Sequence, residues 1–304
     1  MVIIRLPAAA VLALSYSAIL CPSRADTFSA VPIADAFVAT GTPTNNLSGD
    51  NFGAAGSLTV EAGNLPQGEF QTVIEFDLSG AQSYFNSEYG AGGWTAQTVL
   101  LKLTGSPHGN SMFNPPAAGE FAISLMQNNS WVEGTGTGGA PTTNGITYDS
   151  LESSYINDAT DQALGSFSFV GGTSGTANYG LNLSSGLLGD LMAGTNLSLR
   201  LFPTDTNVSY LFNSRMAASS GPALLITVAP QAIPYQLALA LSGGNLVISW
   251  PTNESSGAVL QQNSVLSSSN WITTPTNFLT VTNGQYQVLA SPTNAAQFFR
   301  LYTP

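Results

Sequence analysis

The sequence predicts an all-β protein in two parts, one β-sandwich followed by a smaller one. Three observations carry that prediction. Apolar and polar residues alternate with period two through most apolar segments, the pattern of strands with one face buried. The intervening stretches are rich in Gly, Asn, Pro and Thr, and the chain holds 31 Gly and 17 Pro, as closely spaced antiparallel turns require. Helical periodicity is confined to two short segments.

The strands are read in order. SLTVEA (57–62) alternates, and QTVIEFDLSG (71–80) places Ile74, Phe76 and Leu78 on one face with Val73, Glu75 and Asp77 on the other. TVLLKLTG (98–105), FAISLMQ (121–127), GSFSFVGG (165–172), NLSLRLFP (196–203) and ALLITVAP (223–230) follow the same rule. One helix is expected after Ser184-Ser185, where a cap, the apolar run GLLGDLMA and Gly194 succeed one another. A second is expected within 150–163. ITVAPQAIPYQL (226–237) ends a strand in a Pro-marked linker, which sets a domain boundary near 230. Residues 26–230 then form the first sandwich and 231–304 the second. The second contains NLVISW (245–250), AVLQQN (258–263), NWITTP (270–275), NFLTVTN (277–283), QYQVLA (285–290) and QFFRLYTP (297–304). Short strands at that spacing predict a fibronectin- or immunoglobulin-like sandwich.

Residues 1–25 (MVIIRLPAAAVLALSYSAILCPSRA) read as a signal peptide: Arg5, an apolar stretch to Leu20, and small residues Ser23 and Ala25 at the −3 and −1 positions. Leu20 before Cys21 does not fit a lipidation site. The mature chain is therefore expected to be secreted, extracellular or on the cell surface, without cysteine and without membrane insertion. It would hold four basic against 17 acidic residues, a net charge of −13. Sixteen of those acids lie in 26–230. So few Lys and Arg exclude a nucleic-acid binder, which must neutralise phosphates. Aromatic and apolar content (10 % and 43 %) is too high for a disordered chain.

Several segments of the first part, taken in order, resemble the DNRLRE family of bacterial extracellular domains. They are ADAFV (34–38), NFGAAGSLTVEA (51–62), VIEFDLSG (73–80), SWVEGTGTG (130–138), GITYDSL (145–151) and YLFNSRMAASSGPALLITV (210–228). The resemblance implies a jelly-roll sandwich related to carbohydrate-binding modules, some of which bind uronic-acid polysaccharides. The family commonly has Arg before its Phe-Asp-Leu-Ser strand, where this chain has Gln71 and Glu75. The last part, through VLQQNSVLSSSNW (259–271) and QFFRLYTP, resembles a C-terminal module of large secreted bacterial proteins, which implies display or attachment.

Few motifs carry chemistry. GTGTGG (134–139) satisfies G-x-G-x-x-G, but APTTNG follows and starts no helix, so it reads as a loop and not a dinucleotide site. Glu75 and Asp77 lie about 7 Å apart on one strand face, a spacing open to glycoside hydrolysis. Gly80 replaces the third acid of the laminarinase-type pattern, and a solvent-facing pair is expected instead. His108 sits in a turn-like GSPHGN without metal-ligand neighbours. Asp35, Asp50 and Asn51 are candidate ligands for a structural calcium ion, or ordinary turn formers. Tyr84, Tyr89, Trp94, Trp131 and Tyr148 are the candidate sugar-stacking aromatics, since pyranose rings pack on aromatic faces. Trp131 and Tyr148 have a packing role as their alternative.

No catalytic residue and no cofactor beyond calcium is expected. The expected function is non-enzymatic binding of a polysaccharide or cell-surface glycan. The alternatives are a structural surface protein without a small ligand and, third, a glycoside hydrolase.

Overall fold

The computed structural model describes residues 2–5, 11–14, 25–107, 112–231, 237–252, 258–265, 267, 269–275, 279–290 and 297–302. His108 lies outside them. The chain divides into two compact units, one spanning 24–231 and the other combining 1–23 with 232–304. The linker expected near 230 is where they part.

The larger unit is a β-sandwich. Its first sheet joins β1 (Asp26–Ala30), β5 (Trp94–Thr104), β8 (Thr176–Leu181) and β11 (Ala223–Pro230) in the order β8-β5-β11-β1. The second has seven strands. These are β2 (Pro32–Ala39), β3 (Ser57–Glu61), β4 (Phe70–Asp77), β6 (Gly119–Met126), β7 (Gln162–Phe169), β9 (Asn196–Pro203) and β10 (Ser209–Asn213). Their order is β7-β6-β9-β4-β3-β10, with β2 also paired to β4. All pairings are antiparallel.

Register explains the core. Leu199 pairs with Ile74 on one side and Leu125 on the other, so one inward row crosses three strands. In the facing sheet Leu101 pairs with both Tyr179 and Leu224. These rows meet in one cluster with Phe76, Phe121, Tyr210 and Phe212, all buried. A one-residue slip in β9 would turn Leu197, Leu199 and Leu201 outward together, so the apolar alternation fixes the pairing.

The helix after Ser184 forms as expected. α2 (Ser185–Ala193) starts with the Leu187 N–H donating to Ser184 Oγ at 3.4 Å and ends at Gly194, in the left-handed region at φ 66°. The segment 150–163 is helical only in part, as a turn at Tyr148–Ser150 continued by a wide turn through Leu151–Tyr155. A third helix, α1 (Ser79–Tyr89), is absent from the sequence expectation. Its only buried residues are Ala81 and Phe85, one turn apart, so its polar sequence carries little periodic signal. Its start is marked instead by Asp77, whose Oδ1 accepts the Ser79 N–H at 2.8 Å.

The smaller unit contains β12 (Ala238–Ser242), β13 (Asn245–Pro251), β14 (Val259–Asn263), β15 (Leu279–Thr282), β16 (Gln285–Ala290) and β17 (Gln297–Tyr302). One sheet has the order β12-β13-β16-β15. The other holds Ile272–Thr273, β14 and β17, and Val2–Arg5 and Val11–Leu14 of the segment read as a leader extend it beyond β17. Leu246, Ile248, Trp250, Val288, Phe299 and Leu301 form its core.

Leu199 occupies the centre of the larger core and is fully buried. Leu199→Ala is expected to destabilise that unit by about 2–5 kcal/mol through lost burial and a residual cavity. Chemical denaturation followed by tryptophan fluorescence checks this.

Candidate functional site

The outer face of the seven-stranded sheet carries an apolar patch among polar residues such as Gln71, Glu75, Ser198 and Arg200. Ala36 and Val38 of β2, Val73 of β4 and Met126 of β6 all lie on it and are buried. The segment 127–161 covers them, contributing Trp131, Ile146 and Leu151 to the same cluster. Trp131 is 4 % exposed and its Nε1 donates to Ser198 Oγ of β9 at 2.9 Å, which pins the segment to the sheet.

One amide organises the first half of this covering segment. Asn51, 1 % exposed, donates through Nδ2 to the carbonyls of Glu133 and Ile146, both at 2.8 Å. Its Oδ1 accepts the N–H of Gly136 at 2.8 Å and of Gly53 at 3.3 Å. The backbone must come this close, and that explains the glycines of 134–139. A Cβ on Gly134, at φ 78°, would fall 2.4 Å from Asn51 Oδ1, and one on Gly136 would fall 2.4 Å from Asn51 O. GTGTGG is therefore a loop wrapped on Asn51 and Phe52, as the sequence led one to expect.

Beside Asn51, Arg215 grips Glu133 through both ends of its guanidinium: Nε to Oε1 at 2.8 Å and Nη2 to Oε2 at 2.5 Å. Asp35 accepts the Arg215 backbone N–H at 2.6 Å, and its own N–H donates to Glu133 Oε1 at 3.1 Å. Burial raises the Asp35 carboxyl to about 7, with Glu133 adding to the rise while the bond from the Arg215 N–H and the Arg215 charge oppose it. Asp35, Asn51, Trp131, Glu133, Ile146 and Arg215 come from five of the segments that resemble the DNRLRE family, and they meet here.

The second half of the segment is set by a capping box. Thr147 Oγ1 accepts the Ser150 N–H at 3.2 Å and Ser150 Oγ accepts the Thr147 N–H at 2.9 Å. The wide turn that follows delivers Ser153 and Ser154 to the surface and packs one side of Tyr155 on the apolar cluster. Half-exposed Tyr155 lines two open clefts. One, of about 640 Å³, is walled by Gln127, Asn128, Asn129, Ser130, Ser154, Asn157 and Thr160 with Ile156 and Asp161. The other, of about 880 Å³, is walled by Thr142, Thr143, Thr147, Ser150 and Ser153 with Gly49, Pro141, Gly145 and Asp149. Neither wall contains Lys, Arg or His. The first wall is held rigid: Asp161 accepts the N–H groups of Gln127 and Asn157, both at 3.0 Å, while Asn128 bonds to Ser130 and to the Ser154 carbonyl.

The aromatics proposed from sequence are not brought together into one platform. Trp94 is 1 % exposed in the main core, its Nε1 donating to Asn86 of α1 at 2.9 Å, and Trp131 lies beneath the covering segment. Neither presents a ring face to solvent. Tyr89 packs on the core and donates to Asp26 Oδ2 at 2.7 Å, and Tyr84 contacts Phe28. Tyr148 is half-buried at the edge of a closed network in which Arg200 binds Gln71 at 2.6 Å and Glu152 at 3.1 Å. Burial, with Glu69 and Glu152 nearby, pushes the Tyr148 hydroxyl up to about 12. Tyr155 was missed because its serine-rich surroundings read as helix, and only its place inside a run of amides and hydroxyls marked it.

The calcium candidates are held by protein groups. Asn51 uses both amide atoms, Asp50 Oδ2 accepts the Gly139 N–H at 2.8 Å, and Asp35 lies against Arg215. One oxygen of each aspartate has no partner. Among the described residues no group of three His, Cys, Asp or Glu side chains is placed to hold a metal ion. A cation at Asp35 would also face the Arg215 guanidinium, which opposes it.

The expected solvent-facing pair is divided. Asp77 is exposed, but Glu75 is 5 % exposed and accepts from Asn196 Nδ2 at 2.8 Å, because the sheet face that carries it is covered. Burial raises the Glu75 carboxyl, whereas the bonds from Ser79 lower that of Asp77. No protein-family model matches the chain, and no curated protein matches it either.

Two outcomes follow for stability. Asp35 and the fully buried Glu61, which accepts from Ser209 and Asn114, both have carboxyls raised by burial to about 7. The folded state then holds protons that the unfolded state has released above about pH 4. Stability should fall as pH rises from about 4 to 7 and level off above. A Tm-against-pH series should show this slope, markedly flattened in Asp35→Asn/Glu61→Gln. Samples saturated with calcium or treated with EDTA should melt at the same temperature.

Proposed function

We propose that the larger unit binds an uncharged stretch of polysaccharide without cleaving it. The observation that carries this reading is Tyr155 standing between two open clefts walled by amides and hydroxyls. An aromatic ring packs against the C–H face of a sugar, and amides and hydroxyls exchange hydrogen bonds with its hydroxyl groups. Two clefts sharing one tyrosine suit a chain of several sugars. With Asp149 and Asp161 in the walls and no basic residue, anionic stretches are disfavoured.

The placement of the acids supports a reading without turnover. Glu75 is buried under its bond from Asn196, and Asp77 holds the start of α1. Convergence of the motif-bearing segments on Asn51 and Glu133 supports a DNRLRE-like jelly roll. The residue 1–25 pattern supports export, so that the glycan is one outside the cell or on its surface.

A glycan array probed with the full chain, followed by reducing-sugar release on each hit, tests the reading. Binding to neutral oligosaccharides without release is expected. Tyr155→Ala should weaken it at least about tenfold, roughly 1.4 kcal/mol, read on protein shown to be folded, since Tyr155 also packs on the outer apolar cluster. Silence across plant, algal and bacterial glycans would favour a structural surface protein. Sugar release lost in Glu75→Gln/Asp77→Asn would make it a hydrolase.

A further inference from the structure

Three arginine side chains are described, and two are closed by a carboxylate. Arg200 is paired with Glu152 at 3.1 Å and Arg215 with Glu133. Arg300, on β17 of the smaller unit, has no carboxylate partner among the described residues. Its Nε donates to Gln261 Oε1 of the paired strand at 2.9 Å. Its Cζ lies 4.4 Å from the centre of the Trp271 ring and 5.5 Å from that of Tyr302. It is the only charged residue among the described residues of 237–302. Its two terminal nitrogens have no acceptor among the described residues.

A guanidinium fixed at Nε and stacked on aromatic rings has little rotamer freedom left to lose, and its outer nitrogens form a planar fork matched to a carboxylate. The surroundings narrow the ligand further. Trp271, Arg300 and Tyr302 are all half-exposed, and Gln261 reaches Thr273 Oγ1 at 3.4 Å. The site thus combines a cation, aromatic carbon surface, an amide and a hydroxyl on one sheet face, and among the described residues of this unit there is no acid to oppose an anion.

We propose that Arg300, Trp271 and Tyr302 form a recognition site for a carboxylate carried on a sugar ring. The carboxylate meets the guanidinium fork and the ring packs beside the aromatic side chains. The site is independent of the Tyr155 clefts and has the opposite charge preference. A polysaccharide with neutral and acidic stretches would engage both units, and linked weak sites gain affinity through effective concentration.

Calorimetric titration of the full chain with an oligogalacturonate and with its fully methyl-esterified form is the test. The acid form should bind, more weakly as salt rises, and the ester at least about tenfold more weakly. Arg300→Ala should lose about tenfold or more. Arg300→Lys, which keeps the charge without the fork, should fall between, and it carries the test should the alanine variant fail to fold. Tyr155→Ala should leave acid binding unchanged. Equal binding of acid and ester, wild-type affinity in the folded Arg300 variants, or no binding by the folded wild type would overturn the proposal. So would loss of acid binding in Tyr155→Ala. An acidic peptide that binds as tightly as the oligogalacturonate would overturn the sugar assignment.

Discussion

The outer face of the seven-stranded sheet carries an apolar patch among its polar residues, a patch that is costly to leave in water, and the larger unit is organised around that constraint. Ile74 and Phe76 of β4 point into the sandwich while Val73 of the same strand points out, among Ala36, Val38 and Met126. Each such side chain left exposed would forfeit about 1.5–3 kcal/mol of burial. The long connection 127–161 is therefore obligatory as a cover. It carries its own apolar residues to the sheet and closes a second, smaller core outside the sandwich.

Covering a sheet with irregular backbone raises the problem of unpaired peptide groups, since nothing in a loop supplies the regular ladder of a strand. The solution here is a side chain that imitates backbone. The Asn51 amide has donors and an acceptor in the geometry of a peptide, and it answers two carbonyls and two N–H groups of the surrounding turns. Glycines are needed wherever the chain approaches that amide, and Glu133 with Arg215 closes the remaining side. The result is a surface of short polar side chains held by its own hydrogen bonds, which would lower the entropy lost in the binding proposed for it.

This division explains how much was legible in the sequence. Strands of the sandwich were readable because a period of two is local: 196–203 and 223–230 appear with the bounds expected of them. α2 was readable because Ser184 and Gly194 mark its ends chemically. α1 was not, because two buried residues in eleven give no stripe. The site was least legible of all. The sequence offers Asn51 as a calcium ligand and Trp131 as a stacking aromatic, but their hydrogen-bond partners lie 67 to 95 residues away in sequence. A turn asparagine, a calcium ligand and a loop-organising amide look alike until those partners are known. Glu75 illustrates the converse: alternation placed it correctly on the face opposite Ile74, but only the folded cover shows that face to be buried.

The placement of charge then limits what the surface can do. Glu133 and Glu152 are tied to arginines, and Asp161 and Asp77 are tied to backbone N–H groups. Asp35 and Glu61 are driven toward their neutral forms by burial. The carboxyls raised to about 7 are both buried, whereas the exposed Asp77 is lowered by its bonds from Ser79. What faces solvent around Tyr155 is largely neutral and numerous rather than reactive. Recognition of a hydroxyl-covered polymer, as proposed for this surface, would rest on the sum of many weak, directional contacts.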